Sequence, residues 1–450
     1  MLCSVMAVCP NATEPLTTAS NIQRTIDPII ALDPEPAYTL PPTPYTLAHY
    51  PPPPKPDYPN FMPATADKLR LSAIAPGLVQ SEIRAMSVEC ERMGGINLAQ
   101  GVCDTGVPSP VMTRAIEAIE QGYNIYTRAD GIAPLRVAIA DKLSRYNGLA
   151  ADPDTEILVA SGATAGFYAA CMALFNPGDE VILFEPFYGY HLNTLAALRV
   201  KATAVSMAAP NWTIDFDALR AAVTPRTRGI VINSPSNPCG KVFSRAELQA
   251  IADLALQHDL FVLTDEIYEY FLYDGAEHIS LATLPGMAER TITISGLSKT
   301  FSITGWRIGY IAADARWMPA IAYFHDLIYV CAPSPFQHAC TAGFLQLDAS
   351  FYAALATEYQ VKRDMLCSAL ADAGMTPSIP PGAYYVLADA TPIPGANARE
   401  KARNLLRSTG VAAVAGTAFF AEERGENLLR FCFAKRDEDL QRACAALRAR

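Results

Sequence analysis

Five short apolar runs, TEILVA (155–160), EVILFEP (180–186), RGIVINS (228–234), LFVLTDE (260–266) and RTITIS (290–295), punctuate the middle of this chain. Helical stretches such as SRAELQAIADLALQH (244–258) stand between several of them. No other feature limits the fold as tightly. A strand that is apolar along its whole length must be covered on both faces, and strands joined through helices run parallel. The pattern predicts an α/β fold with a mostly parallel sheet. Helices are also predicted over 81–93, 108–122 and 133–146, and the aromatic-rich run GWRIGYIAA (305–313) reads as one more strand. Sheets of this kind bind their ligands beyond the carboxyl ends of the strands. Chemistry is therefore expected just after each run.

The chain has 450 residues, enough for two or three domain-sized units, and 51% hydrophobic against 18% charged residues is a globular composition. A net charge of -10 leaves no basic excess to neutralise phosphates, which argues against nucleic acid or an anionic membrane as partner. Small metabolites stay open. The eleven cysteines are an odd number, scattered without a CxxC pair or a Cys/His cluster, so no metal site is expected. They read as reduced thiols of a cytoplasmic protein. No apolar run approaches the ~20 residues of a membrane helix, and the N-terminal MLCSVMAVCPNATEP lacks the basic start of a signal peptide. Between Pro34 and Pro63, 12 of 30 residues are proline. Residues 1–64 are expected to form an extended arm, because proline interrupts both helix and central strand.

Unusual residues stand at the run exits. After TEILVA comes SGATAGF, where Gly162, Ala163 and Thr164 open a helix whose free amides suit a phosphate. After EVILFEP comes FYGYH with Tyr188, which could stack on a planar ring. After RGIVINS comes PSNPCG with Asn237; after LFVLT comes DEIYEYF with Asp265 and Tyr268. After RTITIS comes GLSKTFSITGWR, with Ser298, Lys299 and, eight residues later, Arg307. An ammonium in such an apolar setting has its pKa lowered or is bonded covalently, so Lys299 is a candidate nucleophile. Singly each residue has a bland reading. Together they supply a lysine for an aldehyde, a carboxylate for a pyridine nitrogen, donors for a phenolic oxygen and a cradle for a phosphate, which is the inventory of pyridoxal 5'-phosphate.

The ordered set SGAT, EPFYGY, NSPSNPCG, TDEIYEYF, SKTFSITGWRIGY and LLRFCFAK closely resembles the class I/II aminotransferases, of fold-type I among pyridoxal phosphate enzymes. The resemblance spans roughly residues 65–450. It implies a large cofactor-binding α/β/α domain (108–345) with a seven-stranded-type sheet, and a smaller α/β domain built from 65–107 and 346–450. It implies Lys299 as the Schiff-base lysine, Arg307, Ser298, Gly162, Ala163 and Thr164 at the phosphate, and Asp265 at the ring nitrogen. Asn237 and Tyr268 would bond the phenolic oxygen, and Tyr188 would stack on the ring. Tyr126, in YTRADG, resembles the tyrosine that reaches the phosphate of a neighbouring subunit, which implies a homodimer. Arg430 resembles the arginine that grips the substrate carboxylate, with Asn237 and Gly101 beside it. The implied activity is ping-pong amino-group transfer between an L-amino acid and a 2-oxo acid.

Departures and rivals remain. Cys103 and Thr105 flank Asp104 where proline and an aromatic residue are usual in the substrate-side loop INLAQGVCDTGVPSP, so the side-chain pocket is altered. Gly296 stands where a small hydroxyl residue is frequent, which would remove one phosphate contact. No second arginine matches a dicarboxylate site, and Tyr384 in PPGAYYVLAD is expected to add an apolar wall. A neutral, aromatic or sulfur-containing donor is the expectation. A C–S lyase, an aminocyclopropane-carboxylate-type synthase or a racemase would carry the same motifs, since the choice among these reactions lies in pocket geometry. A regulator using the module as a sensor would need a basic DNA-binding segment, and 1–64 holds only Arg24 and Lys55.

Overall fold

The structure, a computed structural model, describes residues 71–72, 82–421 and 424–450, so the expected proline-rich arm lies outside the described residues. The apolar runs form one sheet. Its strands are β1 (Ile157–Ala160), β2 (Glu180–Glu185), β3 (Lys201–Ala208), β4 (Thr227–Asn233), β5 (Phe261–Asp265), β6 (Thr291–Gly296) and β7 (Gly309–Ala312), in the order β1-β7-β6-β5-β4-β2-β3. A two-residue strand, Thr213–Ile214, adds an eighth at the β3 edge. The pairs β3/β2, β2/β4, β4/β5 and β5/β6 are parallel, whereas β7 runs antiparallel to both neighbours. Strand β3 was not legible as an apolar run, because near the edge of the sheet it is exposed at both ends and mostly half-buried between, with only Val205 and Met207 buried.

Side-chain alternation divides the core in two. Ile182, Ile230 and Val262 face one layer with Leu248 and Ile251, while Val181, Leu183, Val231 and Leu263 face the other with Phe167 and Leu195. Both layers are helical, as full burial of β1, β2 and β6 requires. The expected helices are present as Glu82–Arg92, Ser109–Glu120, Ala133–Lys142 and Arg245–Gln257. The last begins at a capping box, in which Ser244 and Glu247 satisfy each other's backbone amides. The third passes at its end into a wider turn, Leu143–Asn147.

A second, antiparallel sheet gathers Thr376–Ser378, Tyr385–Asp389, Leu428–Cys432 and Val414–Ala415. Ile96–Asn97 pairs in parallel with Val411–Ala412, which ties the N-terminal part of the fold to its C-terminal part. Their shared core includes Leu98, Leu370, Val386, Leu406 and Phe431.

Candidate active site

The exits of the large sheet and the face of the small one enclose a cavity of about 410 Å³. Ala163 and Thr164 reach it after β1, Tyr188 after β2 and Asn237 after β4. Asp265 and Tyr268 follow β5, Ser298 and Lys299 follow β6, and Arg307 comes just before β7. Gly101, Tyr385 and Arg430 close the opposite side. Of the candidate cofactor- and substrate-binding residues read from the sequence, Gly162 and Tyr126 do not line it. Gly162 lies directly beneath: a Cβ there would come within 2.4 Å of Arg307 Nη2, and its φ of +86° favours glycine independently. Tyr126 is 79% exposed.

One end of the cavity is built for an anion. Helix Ala163–Leu174 starts without a side-chain cap, so its first amides keep their donors free, and the Arg307 guanidinium is held over them. Arg307 itself has a φ of +58°, a conformation few non-glycine residues adopt, fixed in part by Nη1 donating to Thr304 O at 3.0 Å.

At the centre, Asp265 Oδ2 lies 3.2 Å from His191 Nε2, and its Oδ1 accepts from the Ile267 amide at 3.3 Å. His191 is buried between Phe167 and Tyr188, at ring distances of 4.5 and 5.3 Å. Lys299 Nζ donates to Gly101 O at 3.3 Å and has no carboxylate bonded to it among the described residues. Burial pulls its pKa below the ordinary lysine value. The Tyr268 hydroxyl is 3.1 Å from that of Tyr385, and burial lifts its pKa far above the usual phenol range, so it stays a donor at neutral pH.

Arg430 forms the other pole. It is 1% exposed, clamped between the rings of Tyr385 and Phe419 at 4.4 and 4.8 Å. Nη1 donates to Asn237 Oδ1 at 3.0 Å and Nη2 to Ala99 O, but the buried Nε has no partner. A buried guanidinium with an orphaned N–H in a cavity wall is suited to an entering carboxylate. Asn237 is held in turn by its amide donating to Asn233 Oδ1 at 2.7 Å, which leaves its side-chain nitrogen for a ligand oxygen.

Two expectations, on Tyr384 and Cys103, are corrected. Tyr384 is fully buried against Tyr268, Phe271 and Tyr359, and Tyr385 lines the cavity instead, because neighbouring residues entering a strand face opposite ways. Cys103 does not line the pocket: its Sγ packs 3.7 Å from Lys299 O, and Gln100, Gly101 and Val102 supply the wall. A second arginine does reach the wall, Arg84, an exposed residue on helix Glu82–Arg92. Gly296 lies in β6, where a Cβ would come within 3.2 Å of Gly309 Cα, so its small size serves strand contact. Sequence reading missed His191, Tyr385 and Phe419, each placed at the site by long-range packing. Gly101 had a further signal: a Cβ there would collide with the Tyr385 hydroxyl.

Residues 94–447 match the family "Aminotransferase class I and II". The probable N-succinyldiaminopimelate aminotransferase DapC of Mycobacterium tuberculosis is 38% identical over 373 residues, 80% of this chain and 94% of that protein. The kynurenine–oxoglutarate transaminase of Dictyostelium discoideum is 36% identical over 390 residues, 78% of this chain and 90% of that protein. Among solved structures, N-succinyldiaminopimelate aminotransferase from Mycobacterium tuberculosis superposes with a TM-score of 0.82 at 37% identity, covering 84% of this chain and all of that one. The chain belongs to the class I and II aminotransferases.

Proposed function

We propose that the cavity binds pyridoxal 5'-phosphate and moves the amino group of a neutral, aromatic or sulfur-containing L-amino acid to a 2-oxo acid. The observation that carries this reading is the pairing, across one cavity, of a desolvated lysine without a bonded acid and a buried arginine with an orphaned donor. The donor set fits the cofactor: an uncapped helix start with Arg307 and Ser298 for the phosphate, and Asp265 for the ring nitrogen. Asn237 and Tyr268 serve the phenolic oxygen, and Tyr188 the ring face. When bound, pyridoxal phosphate supplies an aldehyde for the amino group and a ring that draws off the electron pair released at the substrate Cα.

The chain's own residues do the rest. Arg430 fixes the substrate carboxylate, with Asn237 and Gly101 bordering it. The Lys299 amine, whose pKa burial lowers, takes the proton from Cα. Asp265, steadied by His191, keeps the ring nitrogen protonated. Tyr188, Tyr190, Tyr385, Ile83 and Val88 give the substrate side an aromatic and aliphatic wall. That wall suits an uncharged donor side chain.

The same reading includes a homodimer. Helix Ser109–Glu120 exposes Met112, Ile116 and Ile119 along one stripe, and the following segment exposes Ile125 and Tyr126, as expected of a surface covered by a second copy. It also includes a large domain over 108–345, a smaller one from 65–107 and 346–450, and a reducing cytoplasmic setting, supported by the free cysteines. Among the described residues no helix is long and apolar enough to cross a membrane.

Borohydride treatment of the protein loaded with pyridoxal phosphate, followed by peptide mapping, should label Lys299; a label on another lysine overturns the assignment. A panel of donors against 2-oxoglutarate and pyruvate should rank phenylalanine, methionine or glutamine above aspartate in kcat/KM. Aspartate at the top would refute the donor class and point to Arg84.

A further inference from the structure

Behind the cavity wall lies a cluster of buried ionisable side chains that the proposed chemistry does not use. Lys142 is 5% exposed, with Nζ 2.5 Å from Glu269 Oε2 and donating to Asn147 Oδ1 at 2.8 Å and Tyr310 Oη at 3.0 Å. Three N–H groups meet three acceptors. Asn147 Nδ2 links the two acids, 2.9 Å from Glu269 Oε2 and 3.3 Å from Glu266 Oε2. Glu266 also accepts from Thr264 Oγ1 and Ser280 Oγ at 2.9 and 2.8 Å, and faces His278 Nε2 at 2.8 Å. Ligand atoms of Glu266, Glu269 and His278 lie within 4.8 Å of one another, a spacing that could hold a metal ion, but Lys142 already supplies the cation.

The placement is informative. Glu266 directly follows Asp265, and alternation in extended chain turns one carboxylate to the cavity and the next away from it. Glu269 directly follows Tyr268. Its Oε1 accepts from Ser295 Oγ at 3.0 Å, on the strand that delivers Lys299, while Tyr310, bonded to Lys142, stands three residues after Arg307. The Tyr146 hydroxyl donates to Glu269 O at 2.6 Å. Helix Ala133–Lys142 and its wider last turn thus hold, through one cluster, the segments that present Asp265, Tyr268, Lys299 and Arg307.

Stability alone is a poor reason for such a cluster. A buried ion pair is frequently no more stabilising than apolar residues of the same volume, because desolvation opposes the attraction. Directional bonds to fixed partners provide what apolar packing does not, a single register. Burial pulls the His278 pKa down, but the neighbouring Glu266 and Glu269 outweigh it and raise it.

We propose that Lys142, Glu266, Glu269 and His278 form a hydrogen-bonded positioning block that fixes Asp265, Tyr268, Lys299 and Arg307 relative to one another for amino-group transfer. The inference rests on the function proposed above. The test is the double variant Lys142→Met/Glu269→Gln, which removes both charges of the closest pair and keeps the volumes. Its melting temperature should stay near that of the parent, while kcat with the best donor falls about 10²-fold, as misplacement of reacting groups by an ångström does. Hydrogen exchange across residues 291–310 should quicken, and pyridoxal phosphate should bind about tenfold more weakly. If the double variant does not fold, Ser295→Ala, which cuts only the tie to the Lys299 strand, should show the same changes at smaller size. A folded variant with kcat within about twofold, unchanged exchange and unchanged cofactor affinity overturns the proposal. So does a lowered melting temperature with unchanged turnover per folded molecule. A parent protein that transfers no amino group from any donor would sink the functional reading instead, and exchange and cofactor affinity would still decide the role of the block.

Discussion

Lys142 and Lys299 are both drawn toward the interior of this protein, Lys142 buried and Lys299 half-buried, and their surroundings are opposites. Lys142 has a carboxylate, a carboxamide oxygen and a phenol around its ammonium, and three aromatic rings, of Tyr146, Tyr270 and Tyr310, within 5.7 Å. Lys299 has a single backbone carbonyl, one ring, of Tyr384, at 5.9 Å, and an open cavity. The first is satisfied and has nothing left to give. The second is desolvated without compensation, which is what makes an amine available as base and nucleophile. Burial thus does not mark a reactive lysine, and neither does the lack of a bonded acid alone, since buried Lys401 is satisfied by the carbonyls of Ala390, Thr391 and Ile393; an amine short of partners at an open cavity does.

The comparison breaks first, if it breaks, on turnover. Lys299→Ala should lower kcat by at least about 10⁴-fold, the upper range of a lost general base, while the melting temperature stays level or rises. Lys142→Met should instead lower stability by about 3–5 kcal/mol, because Glu269 is left buried and unpaired, with a smaller fall in kcat than Lys299→Ala. Thermal unfolding and steady-state rates on the two variants check both. Equal activity losses without a stability difference would show that the two sites are not of different kinds.

Arg430 sharpens the contrast from the ligand side. Lysine there keeps the charge but loses the planar fork and the stacking on Tyr385 and Phe419. Loss of one charge-assisted bond of about 1.5–3 kcal/mol predicts that Arg430→Lys lowers kcat/KM by roughly 10- to 10²-fold. An unchanged kcat/KM would mean that the orphaned Nε has no part in binding the donor.

The difference between the two lysines also explains what could be read from the sequence. Lys299, Asp265, Asn237 and the Gly162 turn were legible because each follows an apolar run, and chain order alone puts strand exits of a parallel sheet on one edge. Lys142 was not, because a lysine in APLRVAIADKLSRY looks like the solvent face of an amphipathic helix until Glu269, 127 residues away, is brought beside it. His191, Tyr385 and Phe419 escaped for the same reason, since tertiary packing aims them. Tyr384 was chosen over Tyr385 because sequence does not say where a strand begins, and a shift of one residue exchanges the faces.

The smallest effect lies in the pH dependence of folding, and it separates the Lys299 amine from the Glu269 carboxylate by sign. In the cofactor-free protein the Lys299 pKa is below the ordinary 10.5, so the unfolded chain binds the extra proton between the two values and stability rises with pH through that window. Glu269 behaves oppositely. Burial pushes its pKa up, but Lys142 and His278 outweigh it and hold it below 4.5; the stability it brings is present above 4.5 and lost as pH falls through the lower folded value. One group contributes at most about 1.4 kcal/mol per pH unit. Urea unfolding of cofactor-free protein across pH should therefore show Lys299→Met flattening only the alkaline limb, whereas Lys142→Met/Glu269→Gln flattens the acid limb through Glu269 and, because burial also lowers the Lys142 pKa, part of the alkaline limb. If the Lys299→Met curve runs parallel to the parent on the alkaline side, that amine is not desolvated in the folded state, and its reactivity must come from the bound cofactor rather than from the fold.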